Sequence, residues 1–314
     1  MIGNKKAIKP ILRDIIAWQR KNAYPLNLMT EASIDLAEDD EMLELMVEAN
    51  FETVFVGIES PNEEALRETK KIQNLTDRSG TPLDKVHHIQ RSGIEVVCGM
   101  IVGFDSDDES VFEAQRRFIH EARIVMATVT TLYAIPTTPL FDRMRKEGRL
   151  IESGVAVAHP ASHRTNIVPL QMSGEALSEG FLRLMRDLYA SDAYFARADA
   201  LYFDTRLSPN AARRRYLRRH PWRWFKARGW ATLETAHMFV QLMRLPDMEL
   251  RREYRRRLWN VLRRRPSLTV VRAYCIKCAL HFHYDRLIRQ HQADHQTLGA
   301  DAYAMAQAIP AAAE

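Results

Sequence analysis

An alternation of short apolar segments with amphipathic ones between residues 24 and 150 constrains the fold most. Stretches rich in apolar and β-branched residues predict four strands, at 26–34, 53–58, 94–102 and 128–135. Segments with helical spacing separate these strands, and the connections are short. This order predicts a parallel sheet with strands in sequential order and helices on one side. The expected fold class is therefore α/β, and four parallel strands do not close a barrel by themselves.

The second half of the chain has a different pattern. Only helical periodicity follows Ser173, in segments at 173–189, 192–203, 208–219, 229–245, 247–264 and 267–290. We therefore predict four parts, namely an α/β domain (1–150), a linker (151–172), an all-α domain (173–298) and a disordered Ala-rich tail (299–314). Helical sequence at 8–21 precedes the first strand, so the chain is expected to begin partway through a β/α repeat.

Composition indicates a globular protein with two different surfaces. The chain is 46% hydrophobic and 27% charged, and it has no apolar run long enough to cross a membrane. Its three cysteines are too few for a disulfide framework, which favours a cytoplasmic location. Residues 1–150 carry 19 Lys or Arg against 25 Asp or Glu, a net charge of −6, whereas residues 151–314 carry 26 against 15, a net charge of +11. We expect the two halves to contact different partners.

Each predicted strand ends in a segment that contains polar residues or glycine. Ligands of parallel β/α folds bind at the carboxyl ends of strands. Any one of these residues has a structural alternative; Glu59, for example, could simply be the acidic N-cap of a helix. The candidate binding residues are Glu31, Ser33, Glu59, Ser60, Gly99, Gly103, Tyr133, Ala134 and Ile135.

Three segments in this order resemble the later strands of radical S-adenosylmethionine (SAM) enzymes: 56–60 (VGIES), 93–104 (GIEVVCGMIVGF) and 132–140 (LYAIPTTPL). The subgroup they resemble most is the cobalamin-binding one, which includes hopanoid and related C-methylases. The resemblance covers roughly residues 1–150, and the helical second half resembles that subgroup's C-terminal extension. It implies a six-stranded TIM-like partial barrel that holds SAM over a [4Fe–4S] cluster. The implied function is methyl transfer to an unactivated carbon, of a small molecule or a lipid, with cobalamin as the methyl carrier.

The resemblance also implies roles for the candidate residues. Glu59 and Ser60 match the fourth barrel strand of the family, which contacts the ribose or amino-acid part of SAM. Residues 99–103 match the fifth strand, where small residues let the adenine ring approach the backbone. Residues 133–135 match the sixth strand, whose backbone groups read the adenine edge. Glu31 and Ser33 would face SAM or the substrate.

The family's three cluster cysteines, spaced C-x3-C-x2-C, do not occur in this sequence. The cobalamin domain that precedes the family's barrel has no counterpart either, and residues 1–4 resemble the stretch after the second barrel strand. The chain is thus expected to be the C-terminal portion of a longer enzyme, inactive in isolation. An internal Met taken as the start, a frameshift, or a split gene whose other chain supplies the missing part would each explain this. The alternative from another class is a non-catalytic binding or interaction protein with a basic, membrane-associating helical domain.

A Cys-x2-Cys pair with two nearby histidines, Cys275, Cys278, His281 and His283, has ligand types suited to zinc. The spacing does not match common zinc motifs, and helical spacing places Cys275, Cys278 and His281 near one face. Burial as ordinary core residues is the favoured interpretation, and no metal site is assigned.

Two arginine-rich stretches, 213–228 and 251–265, contain aromatic residues among the cations. Solvated helix faces with aromatics turned inward are the favoured interpretation. Contact with the inner face of a membrane is the second, and stacking on nucleic acid is the least favoured.

Overall fold

The computed structural model describes residues 5–68, 74–75, 80–151, 165–205 and 207–307. The first half forms an α/β layer, which confirms the predicted fold class. Its elements, in chain order, are α1 (Lys5–Lys21), β1 (Leu28–Ala32), a 3-10 turn (Ile34–Glu38), α2 (Asp40–Glu48), β2 (Phe51–Glu59), α3 (Glu63–Glu68), α4 (Pro82–Ser92), β3 (Glu95–Val102), α5 (Ser110–Glu121), β4 (Ala127–Thr131) and α6 (Pro139–Lys146).

The four strands form one parallel sheet in the order β1-β2-β3-β4, as the strand–helix alternation predicted. Val54 pairs with Val96, and Val56 pairs with Cys98, so these side chains share one face of the sheet. They belong to a buried core together with α2 and α4 residues such as Met46 and Ile89. The apolar runs of β2 and β3 form central strands because helices cover this face.

Local sequence signals fix the helix that precedes β3. Thr81 caps the start of α4: its side chain accepts from the Asp84 backbone N–H, while the Asp84 carboxylate accepts from the Thr81 N–H. Pro82 occupies the first turn, where its missing N–H costs nothing. Gly93 ends the helix with φ +107°, a conformation that side chains with a Cβ rarely adopt.

Both outer strands are shorter than predicted. The first strand was predicted to run to Ile34, but β1 ends at Ala32 and Ile34 begins the 3-10 turn. The fourth strand was predicted to run to Ile135, but β4 ends at Thr131. Near its end, the backbone of Ala134 pairs with the Asn166 side chain instead of with β3. The ladder therefore stops where other groups take over the backbone hydrogen bonds.

The second half is helical in all of its described elements from Gly174 onward. They are α7 (Gly174–Tyr189), α8 (Ser191–Asp199), a π-helical turn (Ala200–Asp204), α9 (Ala211–Arg218), α10 (Pro221–Met243), α11 (Met248–Arg264) and α12 (Leu268–Gln307). α10 begins at Pro221, eight residues before the predicted helix start at 229. α12 continues to Gln307, into the segment predicted to be a disordered tail, where alanine, the strongest helix former, recurs at every second position from 300 to 306. Of the predicted linker, residues 152–164 lie outside the described residues.

The helical half packs directly against the sheet through buried polar contacts. Arg197 of α8 donates to the carbonyl oxygens of Ile124 and Leu188, at 2.8 Å and 2.6 Å. Glu95, at the start of β3, accepts from Lys277 of α12 at 2.5 Å and from the Tyr202 hydroxyl at 3.0 Å. These contacts hold α8, the π-helical turn and α12 against the amino-terminal end of the sheet.

Candidate functional site

The carboxyl end of β2 has an irregular backbone at a residue with an ionisable side chain. Glu59 adopts φ +69°, and the pairing of β2 with β3 shifts register between Gly57 and Glu59. Asn74 lies behind this bulge, where its side-chain amide donates to the carbonyl oxygens of Gly57 and Ile58, both at 2.9 Å. Left-handed conformations of non-glycine residues cost about 1–3 kcal/mol and cluster at functional sites. The backbone at Glu59 is therefore held by its surroundings, and the residue is half-buried.

The hydroxyl of Ser60, the next predicted binding residue, takes part in a hydrogen bond within the protein. Its side chain is buried, with 1% exposure. The Ser60 hydroxyl accepts from the Asn62 backbone N–H at 3.1 Å, and the Asn62 side chain in turn accepts from the Glu64 N–H at 3.0 Å. This pair shapes the turn that leads from β2 into α3.

One face of the sheet stays partly open toward the carboxyl ends of the strands. Glu31 of β1 pairs with Phe55 of β2, and Gly57 pairs with Gly99 of β3. Glu31 is exposed, whereas Phe55 and Gly99 are half-buried. A Cβ at Gly99 would meet the Phe55 ring at 3.0 Å. The lack of a side chain at Gly99 thus accommodates the Phe55 ring in this structure.

The loop after β3 folds around a buried carboxylate. Asp107 accepts from the backbone N–H groups of Gly103 and Phe104 at 3.0 Å and 3.1 Å. Its other carboxylate oxygen is buried and has no hydrogen-bond partner. Burial raises the pKa of Asp107 to about 6, although the two backbone N–H groups act in the opposite direction. The backbone N–H of the predicted residue Gly103 is therefore engaged within the protein.

Just after the fourth strand, one side chain takes up backbone hydrogen bonds that would otherwise be free for a ligand. Asn166 donates to the Ala134 carbonyl oxygen at 2.9 Å and accepts from the Ala134 N–H at 2.8 Å. The Ile135 carbonyl oxygen accepts from the Thr138 hydroxyl at 2.6 Å, while the Ile135 side chain is 61% exposed. Tyr133 is half-buried. At this strand end, Tyr133 and Ile135 are therefore accessible to a ligand, whereas Ala134 is buried.

Ion pairs tie together the connections that follow β2, β3 and β4. Arg143 of α6 contacts Glu68 of α3 at 2.8 Å and Asp105 of the β3 loop at 3.2 Å. Arg149 contacts the other oxygen of Asp105 at 2.5 Å. Each of these side chains is at most 39% exposed, so the pairs are only partly screened by solvent. This cluster fixes three strand connections relative to one another at the carboxyl edge of the sheet.

The nine predicted residues thus lie on the carboxyl-terminal part of the sheet, but in two different states. Glu31, Ser33, Glu59, Tyr133 and Ile135 keep exposed or half-buried side chains, whereas Ser60, Gly103 and Ala134 are buried and bonded internally. Gly99 lies against the Phe55 ring.

Sequence reasoning missed the residues that support this edge, which are Asn74, Asp107 and Asn166. Asp107 lies a few residues after Gly103 and Phe104, a spacing at which an aspartate often accepts hydrogen bonds from the backbone of its own turn. Asn74 and Asn166 lie in loops with no periodic pattern, and their partners are remote in sequence.

The cysteines lie in separate, buried positions. Cys98 is inside β3, and Cys275 and Cys278 are in α12. Burial raises the pKa of the Cys275 thiol to about 11 and also raises the pKa of the other two thiols. His281 contacts the Tyr254 hydroxyl at 2.8 Å and the Ser191 hydroxyl at 3.3 Å. Within the part of the chain that the structure describes, no three ligand-type side chains are placed to hold a metal ion.

The raised pKa of Asp107 predicts a pH-dependent stability. Because the folded-state pKa of Asp107 lies above its unfolded value near 3.8, the contribution of this group to stability is fully present below about pH 4 and is lost as pH rises through about 6. Asp107→Asn cannot ionise, so its free energy of unfolding should gain about 2–3 kcal/mol relative to wild type between pH 4 and pH 7. Urea denaturation across this range measures the difference.

Asp108→Asn is the matched control for this prediction. The exposed Asp108 carboxylate accepts from Ser110, which lowers its pKa, so it titrates below this pH window. Parallel stability curves for wild type and Asp107→Asn would contradict the assignment.

A comparison with protein families identifies the helical half. A domain of unknown function, DUF4070, matches residues 138–297, about half of the chain. This chain belongs to that family. The matched region begins at α6 and includes α7 to α11, together with most of α12.

Curated relatives extend the similarity and are named as methyltransferases. The chain is 35% identical over 217 residues to the hopanoid C-2 methylase of Rhodopseudomonas palustris (68% of this chain, 39% of the relative). It is 34% identical over 196 residues to an uncharacterised methyltransferase of Synechocystis (62% and 36%). It is 27% identical over 207 residues to the bacteriochlorophyllide d C-12(1)-methyltransferase of Chlorobaculum tepidum (62% and 43%). The resemblance to a hopanoid-methylase-like group of radical SAM proteins is confirmed over the part of the chain that is covered.

The chain spans about two fifths of the length of these relatives. Of the helices described, none is both long enough and apolar enough to cross a bilayer.

Proposed function

We propose that this chain contributes the carboxyl edge of a SAM-binding sheet, with its helical extension, to a radical SAM methyltransferase. The names of the relatives support a methyltransferase of this group. The proposed substrate is a small molecule or a lipid, and the methyl group would be transferred to one of its unactivated carbon atoms. SAM would supply the reactive group of this chemistry, and the residues of this chain would bind and orient it.

The proposal depends most on the position and backbone conformation of Glu59. A carboxylate at the carboxyl end of a central parallel strand is suited to accept hydrogen bonds from ribose hydroxyls or from an ammonium group. Its left-handed backbone persists because Asn74 holds the two preceding carbonyl groups. Strain of this kind at the ligand edge of a sheet is more readily explained by a binding role than by a helix cap.

The other contacts follow from what the edge leaves accessible. Glu31 and Ser33 would lie on the same open side as Glu59. Tyr133 and Ile135 are better placed than Ala134 to meet an adenine edge, since Asn166 already bonds both backbone groups of Ala134. At Gly99 the Phe55 ring would have to shift, or would itself stack against the adenine ring.

The cysteines of this chain do not fit an iron–sulfur cluster. A SAM-binding cluster needs three thiolates close together, but Cys98 lies in a strand and the other two cysteines lie in a helix of the other half. All three are buried, with thiol pKa values raised by that burial. We propose that this chain alone holds neither a cluster nor cobalamin and does not cleave SAM.

Ligand-detected NMR with SAM tests the binding edge. The chain should give saturation-transfer signals from the adenosine protons, with weak affinity because no cluster is present. Glu59→Gln should weaken binding by roughly tenfold, because a charge-assisted hydrogen bond is lost. Glu121→Gln is the control, because Glu121 is exposed at the C-terminal end of α5, whereas the carboxyl edge of the sheet lies at the start of that helix. This variant should bind SAM as wild type does.

Anaerobic reconstitution with iron and sulfide is the second arm of the same test. Visible absorption should show no stoichiometric cluster, and no 5′-deoxyadenosine should form. A full cluster with turnover would overturn the proposal of inactivity. If SAM does not bind, or binds equally well to Glu59→Gln, the edge is not a SAM site, and the non-catalytic interaction protein becomes the better description.

A further inference from the structure

The outward face of α10 carries large apolar side chains along its whole length. Trp222 is 87% exposed, Phe225 70%, Leu233 64% and Val240 43%. At 100° per residue these four positions fall within about 80° of one another around the helix. They extend over about 27 Å at 1.5 Å per residue. We call these four residues the α10 stripe.

The stripe is not the face by which α10 packs on the protein. The buried residues of α10 are Thr235 and Leu242, which lie on the opposite side of the helix from Trp222 and Val240. Leu242 belongs to the main core. An apolar stripe that points away from the core of its own chain marks an interaction surface.

The charge around the start of α10 is strongly one-sided. Residues 213–228 include eight Lys or Arg and no Asp or Glu. Some of these cations have internal roles: Arg215 pairs with Glu48, and Arg223 donates to the Tyr216 hydroxyl at 2.5 Å. Arg218, Arg219 and Lys226 are exposed close to Trp222 and Phe225 in the chain. The stripe is therefore flanked by positive charge at its amino-terminal end.

We propose that the α10 stripe docks on the surface of an anionic lipid bilayer. Exposed Trp and Phe side chains partition into the boundary between headgroups and acyl chains, while neighbouring Arg and Lys bind the lipid phosphates. The helix would lie in the plane of the membrane, since no helix described here can cross it. The charge pattern selects this partner, because an acidic surface next to an apolar layer complements both features.

A second copy of the chain is the alternative occupant. Pairing two stripes side by side would bring together basic segments with no acidic residue between 213 and 228 to offset them. That repulsion favours the lipid surface over a symmetric dimer.

Vesicle co-sedimentation with the full chain tests the proposal. We expect binding to phosphatidylcholine vesicles that contain phosphatidylglycerol, with a blue shift of tryptophan fluorescence and quenching by brominated lipid. The triple variant W222S/F225S/L233S should bind roughly 100-fold more weakly, because three apolar anchors are lost. The triple variant R218Q/R219Q/K226Q should lose roughly 50-fold on anionic vesicles and little on pure phosphatidylcholine.

I11S/W18S is the matched control, since these two residues are exposed apolar side chains on α1. It should bind vesicles as wild type does, and circular dichroism should show that every variant keeps its helix content. Failure of wild type to bind anionic vesicles would overturn the proposal. So would a dimer in analytical ultracentrifugation that W222S/F225S/L233S abolishes while vesicle binding persists.

Discussion

Replacing Lys277 with methionine is expected to lower the free energy of unfolding by about 3–5 kcal/mol, the usual cost of leaving a buried charge unpaired. The Lys277 ammonium lies 2.5 Å from the Glu95 carboxylate, and both side chains are less than 10% exposed. The Tyr202 hydroxyl donates to the second oxygen of Glu95 at 3.0 Å, which would be the remaining partner in the variant. Urea denaturation at neutral pH measures the loss.

A double variant separates the charge effect from lost packing. Glu95→Gln/Lys277→Met removes both charges, so most of the stability should return, to within about 1–2 kcal/mol of wild type. Lys226→Met is the control for the substitution itself: the side chain is exposed on α10, and the change should stay within about 0.5 kcal/mol. If Lys277→Met is as mild as Lys226→Met, the buried pair does not hold α12 to β3.

Replacing Gly180 with alanine is expected to lower the free energy of unfolding by about 2–3 kcal/mol, through overpacking. A Cβ at Gly180 would lie 2.1 Å from the Phe112 ring, closer than any real Cβ contact. Phe112 belongs to α5 and is 5% exposed, so either its ring or the whole of α7 must move. The loss would exceed the gain of about 1 kcal/mol that alanine brings to a helix interior.

Gly229→Ala in α10 is the matched control, because nothing lies within 4 Å of the added Cβ. That variant should gain about 0.5–1 kcal/mol from helix propensity alone. Opposite signs for the two substitutions are the expected result in thermal and urea unfolding. Equal stabilisation at both glycines would show that α5 and α7 are not packed closely at Gly180.

The placement of the candidate residues at the carboxyl edge of the sheet was predictable, but the side chains that support this edge were not. Strand ends with polar residues identified Glu31 and Glu59, because the carboxyl ends of parallel strands meet at one edge. Asn74 and Asn166 remained unrecognised, since an asparagine in a loop gives no periodic signal and its backbone partners are remote in sequence. The positive φ of Glu59 is likewise a property of the folded bulge and not of the residue type.

The aromatic residues of the basic stretches show the limit of composition. Inward-turned aromatics with solvated cations were the favoured interpretation for 213–228, yet Trp222 and Phe225 are 87% and 70% exposed. Helical periodicity places them on one face, but which face packs on the core depends on α12, the neighbour that α10 contacts most.

By itself, the sequence determined the parallel sheet, its strand order and the helical second half, because hydrophobic periodicity and short connections are local and leave few topologies. Only the tertiary structure decided where the outer strands end, that the Phe55 ring covers Gly99, and that the Glu95–Lys277 pair is buried. Each of these depends on contacts between residues distant in the chain. Their geometry is set by how the elements pack, which the spacing of residue types does not encode.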